Sequence, residues 1–246
     1  LWKAMGLGPV WTLRGSPEVA EVAEVIEVAK VADAAEAVVT SKATPPNRGE
    51  AIARMGWDEL ERAVAACTAC TLSATRTQTV FGVGNRGAEW MLVGEAPGVE
   101  EDARGEPFVG QAGRLLDNML AAVGLTRTGS DKRAVYIANV LKCRPPGNRN
   151  PAPDEVARCD PFLKRQIELV KPRLVLVMGR FAAQSLLGTE ASIASLRGTV
   201  HHIDVAGRRV PVVVTYHPAY LLRNLADKAK SWADLCFARD VVAGGG

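Results

Sequence analysis

Short apolar runs alternate with helical patterns over most of the chain after residue 56. Four of these runs are rich in Val, Ile, Leu or Met and span residues 90–93, 134–138, 174–178 and 210–215. Runs of this length and composition are typical of strands that are covered on both faces. Strands that alternate with helices predict a three-layer α/β/α sandwich around a central, mostly parallel four-stranded sheet.

Helical patterns fall between the predicted strands. One apolar face recurs at helical spacing and ends before Gly124, which favours a helix end. Its members are Leu115, Leu116, Met119, Leu120 and Val123. A second helix is predicted from about residue 153 to residue 170, where Pro172 would stop it, and a short third one at 181–187.

The first 56 residues lack this organisation. Between residues 15 and 56, valines recur at every third position among Ala and Glu, a period that drifts around a helix and makes no firm apolar face. We therefore interpret 15–56 as a low-complexity spacer and 57–246 as the compact domain. Ahead of the spacer, residues 1–14 hold several large apolar side chains, Trp2 and Trp11 among them.

Composition narrows the classes of protein that fit. The chain has 246 residues, of which 48% are hydrophobic, enough for one globular domain with an appendage. It contains no uninterrupted run of about 18 apolar residues, so we expect no membrane-spanning segment. The net charge of +3 comes from the compact domain, because residues 1–57 hold 6 basic and 7 acidic side chains. Such a mild excess permits an acidic polymer as partner without requiring one.

The five cysteines favour a metal site over a disulfide framework. An odd count with one close C-x-x-C pair is unlike a secreted disulfide protein and fits a reducing compartment. Four thiolates can hold either an iron–sulfur cluster or a tetrahedral zinc ion, and spacing alone does not choose between them. The four candidates are Cys67, Cys70, Cys143 and Cys159. Cys236 falls in a C-terminal helical pattern and is expected to be a buried apolar residue.

Polar loops directly follow three of the predicted strands. The first strand leads into Glu95, the second into Asn139 and the fourth into His217. Parallel strands place their carboxyl ends on one edge of a sheet, where α/β proteins bind ligands. We therefore expect these three side chains to converge, although over 120 residues separate the first from the last.

Four motifs at these loops together resemble the family 4 uracil-DNA glycosylases. They are Gly-Glu-Ala-Pro-Gly at 94–98, Pro-Phe-Val-Gly-Gln-Ala-Gly at 107–113, Asn-Val-Leu-Lys-Cys-Arg-Pro-Pro at 139–146 and His-Pro-Ala-Tyr-Leu-Leu at 217–222. Their order is far more specific than any one motif, and the resemblance covers roughly residues 60–242. It implies a monomeric enzyme of the bacterial cytosol and nucleoid that acts in base excision repair. Such an enzyme flips uracil out of DNA and hydrolyses its N-glycosidic bond, which leaves an abasic site.

The resemblance implies a role for one residue of each recognition motif. Asn139 would pair with the O4 and N3–H of uracil, since a carboxamide offers one donor and one acceptor, whereas cytosine presents the opposite pattern. His217 would donate a hydrogen bond to uracil O2, where negative charge develops during cleavage. Phe108 would stack on the flipped base.

The identity of the water-activating group stays open. Gly94, Glu95 and Ala96 would line the uracil, and Glu95 would either position the attacking water or stabilise the sugar as it gains positive charge. In the related family 1 enzymes, an aspartate at the place of Ala96 is taken as the water-activating group. For the residues of every motif, an ordinary structural role in a turn, a strand end or the core is the alternative.

The last motif carries the predicted DNA contacts. Proteins that unstack DNA push apolar side chains between base steps. Leu221 is the leading candidate for this wedge and Leu222 is the second, with a helix start packed on the core as the alternative. Arg223 would contact phosphate.

The resemblance also favours a structural 4Fe-4S iron–sulfur cluster over zinc, on the four cysteines other than Cys236. Some relatives bind uracil-DNA covalently by means of a basic loop with an additional histidine, and residues 144–150 contain none. The alternative function is therefore a non-catalytic or covalent uracil-DNA-binding iron–sulfur protein. A family 5 enzyme is a further alternative, although its loop lacks a carboxylate where this chain has Glu95.

Residues 7–14 resemble the N-terminal peptide of the psi subunit of the bacterial replicative clamp loader, with the Gly-to-Trp spacing changed by one residue. This resemblance predicts that residues 1–14 dock on the clamp loader and that 15–56 act as a flexible leash. The alternative is that Trp2 and Trp11 fold back on the glycosylase domain.

Overall fold

A computed structural model describes residues 47–244, which form a six-stranded sheet flanked by helices. The strands are β1 (Val83–Gly84), β2 (Trp90–Gly94), β3 (Tyr136–Asn139), β4 (Leu174–Met178), β5 (His201–Val205) and β6 (Arg208–Thr215). Their spatial order is β1-β3-β2-β4-β6-β5. The four central strands are parallel, and β1 and β5 pair antiparallel at the two edges.

Within the same residues, the helices are α1 (Arg48–Arg54), α2 (Trp57–Ala65), α3 (Val99–Arg104), α4 (Gln111–Ala122), α5 (Pro153–Val170), α6 (Arg180–Leu187), α7 (Ile193–Leu196), α8 (Pro218–Leu221) and α9 (Lys228–Gly244). Short 3-10 turns lie at Thr71–Ala74, Pro146–Asn148 and Leu225–Asp227. The predicted helix at 153–170 is confirmed as α5, and the predicted helix at 181–187 is confirmed as α6 with one more residue at its start. None of the described helices combines the length and apolar character needed to span a bilayer.

Helices cover both faces of the sheet. Successive residues of β2 enter opposite cores: Trp90 and Leu92 pack with residues of α4 and α9, whereas Met91 and Val93 pack with residues of α5 and α6. This arrangement confirms the predicted three-layer α/β/α architecture, because β2, β3 and β4 are buried along their whole length and β6 is buried over its last four residues.

The predicted count of four strands is wrong, because the sheet has two additional edge strands. β1 is only two residues long, too short for a periodic signal. In β5, exposed His202 and Asp204 alternate with buried Ile203 and Val205. Such alternation belongs to a half-covered edge strand and not to the continuous apolar runs that predicted the central strands.

The compact domain begins before the predicted boundary at Trp57. Asn47 caps α1 with its side chain, and Ile52 in α1 is buried in a cluster with Phe162 of α5. The last part of the predicted spacer is therefore a helix packed on the domain. A short helix with a single buried residue has no repeating apolar pattern that would distinguish it from the surrounding sequence. Residues 1–46, which include the predicted docking segment 1–14, lie outside the described residues.

Candidate active site and cysteine cluster

The carboxyl ends of the central strands open into one cavity of about 440 Å³. Glu95 follows β2, Asn139 ends β3 and His217 follows β6, and all three line this cavity. Their predicted convergence is confirmed. Other predicted site residues that line the same cavity are Ala96, Phe108 and Arg223.

Asn139 presents an unpartnered hydrogen-bond acceptor at this cavity. It pairs with Gly94 across the parallel strands β2 and β3 and is only 2% exposed. Within residues 47–244, its buried Oδ1 accepts no hydrogen bond. An unsatisfied buried acceptor costs about 1–3 kcal/mol, so this oxygen is suited to a ligand that brings a donor.

Phe108 is held in a rare backbone conformation beside His217. Its φ is +56°, in the left-handed region that residues with a Cβ seldom adopt. The guanidinium of Arg127 donates hydrogen bonds to the carbonyl oxygens of Pro107 (3.1 Å) and Phe108 (2.8 Å). A side chain on Gly113 would collide with the Phe108 carbonyl. The Phe108 ring stacks on His217 with centroids 5.3 Å and planes 27° apart, so the loop fixes an aromatic wall of the cavity.

His217 has its neutral tautomer set by the backbone. It caps α8, and its Nδ1 accepts a hydrogen bond from the Ala219 N–H (3.1 Å), which leaves the proton on Nε2. The pKa of His217 is lowered to about 4, chiefly by burial; Glu101 acts to raise it and Arg223 to lower it. The imidazole is therefore a neutral donor through Nε2–H at ordinary pH.

Glu95 is half-buried at the cavity wall. Burial raises the pKa of its carboxyl above the usual value of 4.5, although Arg180 acts in the opposite direction. A carboxylate whose charge is poorly solvated has more to gain from a nearby positive charge than an exposed one has.

Glu101 is a cavity residue that the motifs did not single out. Its carboxylate accepts hydrogen bonds from the N–H groups of Gly98 and Val109, both at 3.1 Å. It thereby ties the loop after Glu95 to the loop that carries Phe108. The signal in the sequence is a Glu three residues after Gly98, the glycine that caps α3, a spacing that lets the side chain reach back to the helix start.

The rim of the cavity carries further polar groups that sequence reasoning missed. Asn148 and Arg149 lie in the loop after Cys143 and line the cavity. Arg149 pairs with the buried carboxylate of Glu155 at 2.6 Å, and this pairing lowers the pKa of Glu155. The ion pair anchors the loop to the start of α5.

Leu221, the leading candidate for the wedge, is buried in this structure and not exposed as the sequence predicted. Leu221 is 1% exposed and lies beside Leu115 and Met119, because α8 turns this side chain toward α4. Leu222, the second candidate, is exposed, and Arg223 next to it is exposed as well.

The four predicted metal ligands come together away from this cavity. They line one small cavity beside Phe162 and are contributed by the segment after α2, the loop after β3, and α5. These residues are Cys67, Cys70, Cys143 and Cys159. Within residues 47–244, however, no three Cys, His, Asp or Glu side chains are arranged to hold a single metal ion. Cys236 lies in α9, apart from this group, and is half-buried instead of fully buried as expected.

Hydrogen-bond donors point at three of the four sulfur atoms. Arg76 donates to Cys143 Sγ (3.2 Å) and Arg48 to Cys67 Sγ (3.7 Å). The backbone N–H of Lys142 donates to Cys159 Sγ (3.3 Å). Four thiols with cationic and N–H donors around them match the chemistry of a thiolate-bound iron–sulfur cluster, whose sulfur atoms accept such bonds.

Comparison with known proteins agrees with this geometry. Residues 81–236 match the model of the uracil DNA glycosylase superfamily. The chain is 47% identical to a type-4 uracil-DNA glycosylase of Archaeoglobus fulgidus, over 67% of this chain and 82% of the relative. It is 44% identical to the type-4 enzyme of Thermotoga maritima over the same shares, and 40% identical to that of Sulfurisphaera tokodaii over 68% of this chain and 76% of the relative. The chain belongs to the uracil DNA glycosylase superfamily and, within it, to the type-4 uracil-DNA glycosylases.

Proposed function

We propose that this protein excises uracil from DNA by hydrolysing the N-glycosidic bond, and that its described cavity holds the flipped base. The observation that carries the proposal is the buried, unpartnered Oδ1 of Asn139, a residue that lines the same cavity as the neutral imidazole of His217. The product is an abasic site, the starting point of base excision repair.

Asn139 selects uracil through its carboxamide. Its Oδ1 accepts from uracil N3–H and its Nδ2 donates to O4. Cytosine presents an acceptor at N3 and an amino donor at C4, so the same carboxamide meets a donor with a donor and an acceptor with an acceptor. A buried site with fixed hydrogen-bonding groups rejects such a base strongly.

Phe108 binds the face of the uracil ring, and His217 stabilises the negative charge that forms on uracil as it leaves. The flipped base stacks on the aromatic ring of Phe108. As the glycosidic bond breaks, negative charge grows on uracil O2, and the Nε2–H of His217 donates to it. A neutral donor that is already oriented strengthens this bond in the transition state without a change in its own protonation.

Glu95 serves the sugar side of the reaction. Its carboxylate either positions the attacking water or stabilises the positive charge that develops on the sugar, and the backbone of Gly94 and Ala96 lines the base. The raised pKa of Glu95 supports this assignment, since a desolvated carboxylate interacts strongly with a cationic sugar.

The four clustered cysteines hold a 4Fe-4S cluster in this proposal. The cluster supplies a structural crosslink, not redox chemistry, between the segment after α2, the loop after β3, and α5. Cys143 lies four residues after Asn139, so its anchorage restrains the loop that follows the recognition strand.

We further propose how the enzyme meets its partners. Leu222 enters the base stack of uracil-containing DNA and Arg223 contacts phosphate. The protein acts as a monomer in the bacterial cytosol and nucleoid. Residues 1–14 dock on the replicative clamp loader, with residues 15–46 as the leash, a proposal that rests on the sequence resemblance alone.

The test uses oligonucleotides that carry uracil opposite guanine, uracil opposite adenine, or thymine opposite guanine. We expect abasic sites with both uracil substrates and none with thymine, without added metal or nucleotide. Asn139→Ala and His217→Ala should each slow cleavage by at least about tenfold, the scale of one lost transition-state hydrogen bond. A stable protein–DNA adduct, or intact uracil-DNA with folded, iron-loaded protein, would instead support the covalent or non-catalytic alternative.

A further inference from the structure

Lys142 is a buried cation that the proposed chemistry does not use. Its side chain is 1% exposed, and its ammonium donates hydrogen bonds to the carbonyl oxygen of Asn139 (2.8 Å) and to Oε1 of Gln166 (2.6 Å). Both acceptors are neutral. Lys142 does not line the cavity that holds the Asn139 side chain, so it contacts the backbone of the recognition residue outside that cavity.

Burial of the Lys142 ammonium carries a free-energy cost. A buried amine loses its hydration, and neutral acceptors compensate this loss only in part. A hydrocarbon side chain of similar length would avoid that loss, but it would leave the carbonyl oxygen of Asn139 and Oε1 of Gln166 without this donor, and an unsatisfied buried acceptor destabilises the fold. Lys142 also lines the small cavity of the four cysteines, and its two hydrogen bonds connect that region to Asn139 and to α5.

The bond to Asn139 fixes the strand end that carries base recognition. β3 pairs with β2 up to Asn139 opposite Gly94, and the next amide along the chain, that of Val140, donates to the Gly94 carbonyl at 2.9 Å. The carbonyl of Asn139 itself points away from this ladder and is held by Lys142, three residues further along the chain. The ammonium and the Gly94 carbonyl thus fix the plane of the peptide that follows the recognition residue from its two sides.

The bond to Gln166 gives the ammonium a rigid support. Gln166 is fully buried in α5, and its amide donates to the carbonyl oxygen of Phe81 (2.9 Å) and to the hydroxyl of Tyr136 (3.2 Å). Tyr136 begins β3, so the network connects both ends of this strand to α5.

We propose that Lys142 is a positioning residue that orients Asn139 toward uracil through the Asn139 carbonyl. The inference rests on the proposed role of Asn139 in reading uracil. Loss of the ammonium leaves this peptide held only by the bond of the Val140 N–H to Gly94, so the peptide can tilt and move the carboxamide out of line with the N3–H and O4 of the base. Misplacement of this kind lowers the rate without removing any group that touches substrate.

The test is a double-mutant cycle on single-turnover uracil excision. Lys142→Met should lower the rate by at least about tenfold in the wild-type background. In the Asn139→Ala background it should have no further effect, because Lys142 acts through the side chain that is already missing. Equal fold-losses in both backgrounds, or a wild-type rate for Lys142→Met, would overturn the inference. Lys132→Met, at an 89% exposed side chain, is the matched control and should match wild type.

Iron content and thermal unfolding of each variant distinguish a misplaced Asn139 from a lost cluster or a destabilised fold. Lys142→Gln keeps a donor for the Asn139 carbonyl and should recover part of the rate that Lys142→Met loses, at matched iron content. If the glutamine and methionine variants are equally slow at matched iron content, positioning by this bond is wrong. If Asn139→Ala itself keeps the wild-type rate, the proposed role of Asn139 fails first, an outcome distinct from a failure of Lys142 alone.

Discussion

Gly94 and Asn139 face each other at the ends of two parallel strands, and they fit only because Gly94 has no side chain. A Cβ on Gly94 would collide with Oδ1 of Asn139 and would lie 2.6 Å from Cζ of Phe108. The glycine therefore lets the recognition amide and the aromatic wall approach the same point. In the proposed mechanism, the carboxamide of Asn139 binds the edge of the base at that point and the ring of Phe108 stacks on its face.

Gly94→Ala should accordingly lower uracil excision by at least about tenfold, since it displaces the recognition amide, the aromatic ring or both. The measurement is the single-turnover rate on uracil-containing duplex DNA. Gly87→Ala is the control, because its Cβ would lie 3.7 Å from the nearest other atom, Oδ1 of Asn85, in an exposed turn. A wild-type rate for Gly94→Ala would contradict the close packing of this site.

The pH profile of excision should distinguish the roles of His217 and Glu95. The pKa of His217 is lowered to about 4, so this residue is already neutral throughout the range from about pH 6 to pH 8. The rate should therefore not fall as pH rises through that range, as it would if an imidazolium were the donor. The carboxyl of Glu95 has a raised pKa, so the rate should fall toward acid pH, beginning above the usual value of 4.5.

Glu95→Gln tests this assignment because it removes the group that titrates. The variant should be slower than wild type, and its rate should no longer fall toward acid pH over the range in which wild type loses activity. Iron content measured at each pH controls for loss of the cluster. If the fall in rate toward acid pH persists unchanged in Glu95→Gln, it is caused by the protonation of a group other than Glu95.

The central layer of this fold was predictable because its signals are long and continuous. β4 and α5 have the bounds that the sequence indicated, since each is a long pattern with a proline near an end, although α5 also contains Pro161. The convergence of Glu95, Asn139 and His217 followed from strand direction alone.

Contacts that depend on tertiary packing were not predictable in the same way. Leu221 and Leu222 are adjacent and chemically identical, and only the direction in which α8 leaves His217 decides which one is buried. Arg127 supports the Phe108 carbonyl from 19 residues further along the chain, a distance at which no local pattern signals a contact.

Leu222 and Leu221 should therefore give opposite phenotypes. Leu222→Ala removes the exposed side chain and should slow excision from duplex DNA more than from single-stranded DNA, because only the duplex must be unstacked and unpaired. Leu221→Ala removes a core side chain and should lower the unfolding temperature, at a cost of about 2–5 kcal/mol, with similar effects on the two substrates. A duplex-specific defect in Leu221→Ala, with none in Leu222→Ala, would restore Leu221 as the wedge.

The cysteine group predicts a defined metal content. Iron and sulfide analysis of anaerobically prepared protein should find about four of each per chain. Serine at Cys67, Cys70, Cys143 or Cys159 should lower both, whereas Cys236→Ser should not, because Cys236 lies apart from the group in α9. One equivalent of zinc without iron would show that the four thiols hold a single ion instead.

The packing of α1 decides where the N-terminal segment can be removed. A chain that begins at Asn47 keeps the cap of α1 and the buried Ile52, and it should unfold at the same temperature as the full chain. A chain that begins at Trp57 loses the burial of Ile52, roughly 1.5–3 kcal/mol, and should be less stable. The chain that begins at Asn47 is therefore the variant with which the role of residues 1–46 should be tested.

The chain that begins at Asn47 should lose capture by clamp-loader subunits while it keeps full uracil excision. Capture should be lost because residues 1–14 hold the apolar side chains proposed to dock, with Trp2 and Trp11 as anchors of the kind that dominate protein interfaces. Excision should be kept because every proposed catalytic residue lies after residue 47. The measurement is recovery of purified clamp-loader subunits on immobilised full-length and truncated protein, with a full-length Trp2→Ala, Trp11→Ala double variant as the matched control. Equal recovery on the full-length and truncated proteins, or none on either, would refute the docking proposal. A truncated protein that no longer excises uracil would show instead that residues 1–46 belong to the enzyme itself.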